Sequence, residues 1–313
     1  MPEIKENVLL ASCTIYKIGG PARYFTEVKN ADEIKEAIQC AEEKKIPFFV
    51  LGAGSNMLVS DRGFDGLAIR MSGGEVKTDG ERLIADAGVM MARAVMESAR
   101  AGMSGFEWGV GIPGIVGGSV RGNAGCFGGE MKDVVESVEI FDASAAASRR
   151  LAAAECKFAY RDSIFKKHPE WVIVSATLKL KKGQPEAIQN EIRRITAERA
   201  AKQNIGAKSC GCVFKNIPWL RRDIDREKLL ADFPELERFS AQENIPASFL
   251  IDRAGEKGVR AGAVYVSDKH ANYFINDGGG AAADVAELAA VVKDAVKSTY
   301  GILLEEEIQY IGF

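Results

Sequence analysis

Residues 105–129 read GFEWGVGIPGIVGGSVRGNAGCFGG and hold ten of the chain's 32 glycines. A shorter cluster, Leu51-Gly52-Ala53-Gly54-Ser55-Asn56, follows the apolar run Phe48-Phe49-Val50. Glycine reaches positive φ without a Cβ clash and lets backbone N–H groups approach a ligand closely. Successive N–H groups in such a turn form a concave nest that suits phosphate oxygens. Either cluster alone is equally compatible with plain tight turns; together they point to a large ligand carrying a diphosphate. Neither is a Rossmann fingerprint: Gly52–Met57 lacks the third glycine, and the following MLVSDRGFDG does not read as a helix. The Gly-Lys-Ser/Thr of a Walker loop is absent. The nests therefore belong to another kind of fold.

Outward from the nests, helical and strand signals alternate. Asn30 caps an expected helix over 31–45, where Ile34, Ala37, Ile38 and Ala41 keep helical spacing. Pro47 closes it, and Phe48–Leu51 reads as a buried strand running into the first nest. Residues 91–101 repeat the helical period until Gly102. Val134–Phe141 and Trp171–Leu180 alternate as strands, the second with Val172, Val174, Ala176, Leu178 and Leu180 on one face. Ile188, Ile192 and Ile195 mark a helix ending near Lys202. Then come a glycine turn at 206–211, a helix through Phe249–Ala254 and a strand near Gly262–Val266. The last helix is expected from Asp284 to Ser298, with Asp284 and Glu287 as its capping box. The tail 302–313 is expected to return as a strand. This is a mixed α+β chain with no internal repeat.

At 313 residues the chain exceeds one ordinary core and is expected to form several lobes. With 47% hydrophobic and 27% charged residues it has the composition of a soluble globular enzyme. A net charge of −3 gives no general attraction to nucleic acid, and no apolar run is long enough for a bilayer. The N-terminus lacks the basic and apolar regions of a secretory signal, and six cysteines at irregular spacing do not form a disulfide framework. The expected setting is cytoplasmic, with reduced thiols and no membrane partner.

Seven blocks, in order, carry a resemblance. They are Tyr16-Lys17-Ile18-Gly19-Gly20-Pro21-Ala22, LGAGSNMLVSDRGFDGLAIR (51–70), GIPGIVGGSVRGNAGCFGGEM (111–131), Tyr160-Arg161-Asp162-Ser163, Gly211-Cys212-Val213-Phe214-Lys215-Asn216, Ser267-Asp268-Lys269-His270-Ala271-Asn272 and Leu304-Glu305-Glu306-Glu307-Ile308. Spread over nearly the whole chain, they resemble the UDP-N-acetylenolpyruvoylglucosamine reductase (MurB) family. The resemblance implies a three-domain flavoprotein with a vanillyl-alcohol-oxidase-type FAD-binding unit and a separate α+β substrate domain. On this chain that places 1–70 as FAD-binding domain 1, 71–203 plus 302–313 as domain 2, and 204–301 as the substrate domain. It implies bound FAD, NADPH as co-substrate, a UDP-sugar substrate and a monomer. The short run between Arg161 and Lys202 matches the family's shorter type, without its inserted tyrosine loop.

The implied reaction reduces an enolpyruvyl ether to a lactyl ether, with hydride going to the methylene carbon and a proton to its neighbour. Such chemistry needs positive charge at the substrate carboxylate and a proton donor for the developing enol. By resemblance Arg161 takes the carboxylate, although an arginine beside Asp162 also suits a structural ion pair. Glu307 matches the catalytic glutamate of a Leu-Glu-Pro-Glu-Val pattern, with Glu306 replacing proline; in a strand Glu305 would share its face and stands in reserve. Cys212 stands where most of the family has the proton-donating serine. A thiol is the stronger acid and still neutral at pH 7; alternatively Cys210-x-Cys212 is half a metal site, or Cys212 is small packing. The FAD contacts implied are Gly52, Ala53, Gly54, Ser55, Asn56, Met57, Gly111, Ile112, Pro113, Gly114, Gly117, Gly118, Ser119, Asn123 and Ala124. Lys202, Lys215, Asn216, Lys257 and His270 match positions near the sugar nucleotide, and no metal is implied. Tyr16, Lys17, Gly19 and Gly20 match a flavin-contacting turn. Two further readings stay open here: an oxygen-using FAD oxidase of small alcohols, and a non-enzymatic sugar-nucleotide- or flavin-binding protein.

Overall fold

The computed structural model describes residues 2–204 and 206–313. Packing gathers the chain into two compact units: Met1–Leu9, Pro21–Ser55 and Phe64–Ala201 in the first, and Leu10–Gly20, Asn56–Gly63 and Lys202–Phe313 in the second.

The first unit holds two sheets. A four-stranded sheet runs in the order Ile4–Leu9, Pro21–Val28, Phe64–Met71, Phe48–Leu51, with its last two pairings parallel. The crossover to Phe48–Leu51 uses the helix Ala31–Glu43, capped by Asn30, whose side chain accepts from Asp32 and Glu33 N–H. A five-stranded antiparallel sheet runs Ala147–Ala152, Val135–Asp142, Trp171–Lys179, Arg82–Asp86, Val76–Asp79. Its central strand is covered on both faces, so Ile173 and Ser175 are buried along with Val172, Ala176 and Leu178. One apolar cluster runs from Ile34 and Ile69 through Leu83, Val95 and Val138 to Ile188 and Ile192. The first two expected domains thus share one core. The helix Met91–Arg100 ends before Gly102, at φ 67°, and Pro185–Lys202 supplies the expected third helix.

The second unit builds its own core on Phe214, Phe274, Val264, Leu250 and the helix Ala282–Tyr300. A three-stranded antiparallel sheet joins Arg260–Ala261, Val264–Val266 and Phe274–Asn276. The helix Ala247–Arg253 covers the expected stretch. The last helix begins two residues earlier than its sequence signal. Asp284 sits inside the first turn and accepts from Ala281 N–H at 2.9 Å. The start of the helix is capped from far away in sequence: Asp61 accepts from Ala282 N–H at 2.8 Å and Ala283 N–H at 3.1 Å.

The tail differs from expectation in two respects. Only Gln309–Ile311 is a strand, and it pairs in parallel with Met57–Val59. Residues 302–313 therefore pack with the second unit, where sequence reasoning sets them beside 71–203. After Asn216, Ile217–Pro218 pairs with Asn244–Ile245, and 219–243 form an excursion carrying the helix Arg226–Asp232.

Candidate active site

In the first unit the two glycine clusters adjoin. A Cβ on Gly52 would stand 2.7 Å from Ile115, and one on Gly114 would meet Ser55 Oγ at 3.2 Å. Gly54, Gly111 and Gly114 take positive φ of 64°, 75° and 141°. Gly117 lets the helix Val116–Arg121 close on Ala87, whose Cβ would lie 2.8 Å from a Cβ at 117. Among the described residues nothing accepts the backbone N–H of Ala53, Gly54, Ser55, Asn56, Gly111 or Gly114. Gly54 and Gly114 are buried. Buried N–H groups are almost always paired, so Gly54 and Gly114 call for an acceptor from outside the chain. A diphosphate supplies such oxygens, and the residues fit an FAD held by its pyrophosphate.

The rest of the second stretch is internally bonded. Ile112 N–H donates to Gly109 and Ala124 N–H to Ser119. Pro113 and Gly118 are exposed, and Ser119 is buried. Asn123 is fully buried, with its side chain bonded to Ala159, Glu130 and Lys132. Sequence reasoning missed Arg199. It is buried at 8% exposure and donates to Gly111 carbonyl at 3.0 Å and Cys126 Sγ at 3.2 Å. The signal was present: Ile188, Ile192, Ile195 and Arg199 continue one helical stripe, so a charge falls on an apolar face.

Arg161 occupies a two-residue turn closed by Ala159 and Asp162, which exchange backbone hydrogen bonds of 3.0 and 3.1 Å. Its φ of 54° is left-handed, a conformation that costs a non-glycine residue about 1–2 kcal/mol. Its guanidinium donates to Gly125 carbonyl at 2.9 Å.

In the second unit the segment Cys212–Lys215 lies between two partners. On one side Cys212 bridges Tyr273, and Val213 N–H donates to Asn272 carbonyl at 2.9 Å. On the other, Phe214 bridges Glu306, Glu307 N–H donates to Val213 at 2.7 Å, and Lys215 N–H to Glu305 at 2.8 Å. Cys212 and Glu307 are both partly exposed. Burial pushes the Cys210 thiol far up, and the nearby Cys212 and Glu307 add to the shift. These three groups therefore form one electrostatic cluster.

The three terminal glutamates divide their work. Glu305 has a side chain 58% exposed and pairs with Lys215 at 3.6 Å and Arg221 at 3.9 Å. Glu306 pairs with Lys293 at 3.3 Å, and together with burial its charge holds the Tyr310 phenol above the usual range. Glu307 is the one whose backbone is fixed beside Cys212.

The remaining expected contacts are dispersed over the second unit. Lys202 is exposed at the end of its helix. Asn216 accepts from Ala247 N–H at 3.1 Å, which ties it to the start of a helix. Lys257 pairs with Asp252 at 2.7 Å. His270 has a buried Nδ1 without a hydrogen-bond partner, and burial, with the Lys257 charge, holds its imidazole below the usual range. Tyr16 is fully buried, Lys17 has φ 59°, and Gly19 and Gly20 press against Val59 and Asp61. No group of three or more His, Cys, Asp or Glu among the described residues is arranged to hold a metal, and no helix is long and apolar enough to cross a membrane.

Comparison with known proteins agrees with this arrangement. Residues 22–147 match the family described as an FAD binding domain. Residues 203–311 match the C-terminal domain of UDP-N-acetylenolpyruvoylglucosamine reductase. The reductase of that name from Solibacter usitatus is 35% identical over 99% of this chain and 97% of its own length. The one from Rubrobacter xylanophilus is 36% identical over 99% and 96%. The crystal structure of the Thermus caldophilus enzyme superposes with a TM-score of 0.78 at 33% identity, covering 99% of this chain and all of that one. The chain belongs to the UDP-N-acetylenolpyruvoylglucosamine reductase (MurB) family.

Proposed function

We propose that this protein is a flavoenzyme that reduces UDP-N-acetylglucosamine enolpyruvate to UDP-N-acetylmuramate with electrons from NADPH, in peptidoglycan precursor synthesis. The observation that carries the reading is the pair of adjoining nests whose buried Gly54 and Gly114 amides lack an acceptor, in a chain of this family. FAD, when bound, supplies hydride taken from NADPH to the methylene carbon of the enol ether. The nest amides hold the cofactor's diphosphate. Arg161 orients the substrate carboxylate and offsets the charge that grows on it, a role its planar fork suits better than a point charge. Cys212 gives its thiol proton to the carbon next to the carboxylate, so the double bond gains one hydride and one proton. Glu307, fixed beside Cys212, assists at the substrate carboxylate. Lys202, Lys215, Lys257 and His270 meet the sugar nucleotide. The protein acts as a cytoplasmic monomer.

The test is anaerobic. Purified protein should carry releasable FAD that bleaches with NADPH and recovers its colour when the enolpyruvyl sugar nucleotide is added. Flavin that recovers only with oxygen would assign an oxidase instead, and absence of flavin would remove the reading altogether.

A further inference from the structure

The stretch 121–125 touches the turn carrying Arg161 at three points, with Asn123 central. Ser163 Oγ donates to Arg121 carbonyl at 2.6 Å, Asn123 Nδ2 to Ala159 carbonyl at 2.9 Å, and Arg161 Nη2 to Gly125 carbonyl at 2.9 Å. Asn123 is 0% exposed and itself left-handed, at φ 42°. All its side-chain bonds go inward. Nδ2 serves Ala159 and the Glu130 carboxylate, and Oδ1 accepts from Lys132 N–H at 2.9 Å. The Ala159 carbonyl it grips also closes the two-residue turn by accepting from Asp162 N–H at 3.1 Å. That grip matters because the turn holds Arg161 at φ 54°, a conformation that persists in a non-glycine residue only when the surroundings over-determine it. Lys166 Nζ adds another restraint, donating to Arg161 carbonyl at 2.6 Å.

We propose that Asn123 is a positioning residue for Arg161: its buried side chain sets the strained turn, and thereby the direction of the guanidinium. This rests on the reading of Arg161 as the group that meets the substrate carboxylate. It gives the asparagine side chain a task within the protein, distinct from the flavin contact that sequence reasoning assigns to the residue. An asparagine suits the position for a physical reason. It tolerates left-handed φ, and its amide presents donors to Ala159 and Glu130 while its oxygen faces the Lys132 N–H.

The experiment uses the FAD-loaded protein. Asn123→Asp keeps the shape but replaces the donor with an oxygen facing Ala159 carbonyl and Glu130. Asn123→Gly keeps the left-handed backbone and removes the side chain, so it covers the case in which the aspartate variant does not fold. Flavin reduction by NADPH and reoxidation by the enolpyruvyl sugar nucleotide are followed separately, per bound flavin. Reduction is expected within about two-fold of the parent, while reoxidation falls on the order of 10²-fold, the scale of a misplaced catalytic group. Combining Asn123→Gly with Arg161→Lys is expected to add little to the Arg161→Lys loss, because both act on one guanidinium. Unchanged reoxidation, fully additive losses, or a protein that no longer holds flavin in either variant overturns the proposal. A parent that is not reoxidised by the substrate overturns the functional reading itself, and this proposal with it.

Discussion

The side-chain amide of Asn56 donates to the backbone carbonyl of Glu307 at 3.2 Å across 251 residues of sequence. With Glu307 N–H bonded to Val213, the glutamate backbone is held on both sides, one residue along from the Cys212 pairing. The backbones of Cys212 and Glu307, the proton donor and acid of the proposed reaction, thus share one ladder, so each side chain is expected to be replaceable without shifting the other.

Cys212→Ala is expected to stall reoxidation of reduced flavin by the enolpyruvyl sugar nucleotide while leaving reduction by NADPH intact. Cys212→Ser is expected to retain substantial turnover, since a hydroxyl can hand over the same proton. Thiol labelling offers an independent check. Burial raises the Cys210 thiol far above the usual range, so iodoacetamide at pH 8 should leave Cys210 unmodified in the folded protein and reach the partly exposed Cys212. Parent-rate turnover in Cys212→Ala would reduce that thiol to packing.

Arg161→Lys keeps the charge but loses the fork and the bond to Gly125. Substrate-driven reoxidation should fall by roughly 10²–10³, the usual loss for a preorganised charge-stabilising donor. FAD content should stay near the parent level. An unaltered reoxidation rate would assign Arg161 to structure alone.

Gly54→Ala places a Cβ on a backbone at φ 64°. The left-handed conformation then costs about 1–2 kcal/mol, and the first nest should relax away from its curvature. We expect weaker FAD retention through gel filtration and on dilution, with the secondary structure unchanged by circular dichroism. Full retention of flavin would separate this turn from the cofactor.

His270 gives a pH dependence with a defined sign. Burial and Lys257 hold its imidazole below the usual value, so the folded state takes up its proton later than the unfolded chain. Its contribution is fully present above about pH 6.5, the unfolded value, and is lost as pH falls from there toward the folded pKa. His270→Gln should therefore lose less stability than the parent between about pH 7 and pH 5, as read from urea midpoints. An NMR titration placing the His270 midpoint at or above about 6.5 would contradict the burial argument.

Much of the first unit was legible in the sequence because its signals are local. Asn30 and the Ile34–Ala41 spacing announced one helix, and Phe48–Leu51 announced the strand that feeds the first nest. The glycines marked positive φ at Gly54, Gly111 and Gly114, which only a residue without Cβ adopts freely. What escaped was set by partners distant in sequence. Asp61 caps the last helix from 221 residues away, which moved its start from Asp284 to Ala282. The acidic run 305–307 looks like three equivalent charges, yet Glu305 pairs with Lys215 and Arg221 and Glu306 with Lys293, all contributed by other elements. Asn123 read as part of a glycine-rich loop because its partner Ala159 lies 36 residues on.

The parallel pairing of Gln309–Ile311 with Met57–Val59 also bears on how the protein is made. The residues between these strands include nearly all of the first unit's core, which can collapse around Leu83, Val95 and Val138 while the ribosome is still translating. The second unit must wait. Its pieces 10–20 and 56–63 emerge early, yet their partners in the sheet and in the helix Ala282–Tyr300 arrive last. During that interval Leu10, Tyr16, Leu58 and Val59, all fully buried in the finished fold, have no core to enter. Such transiently exposed apolar surface is what chaperones recognise and what aggregates when synthesis outpaces folding. A stop codon just upstream of Gln309 would leave Met57–Val59 without the strand that pairs with it in the finished fold.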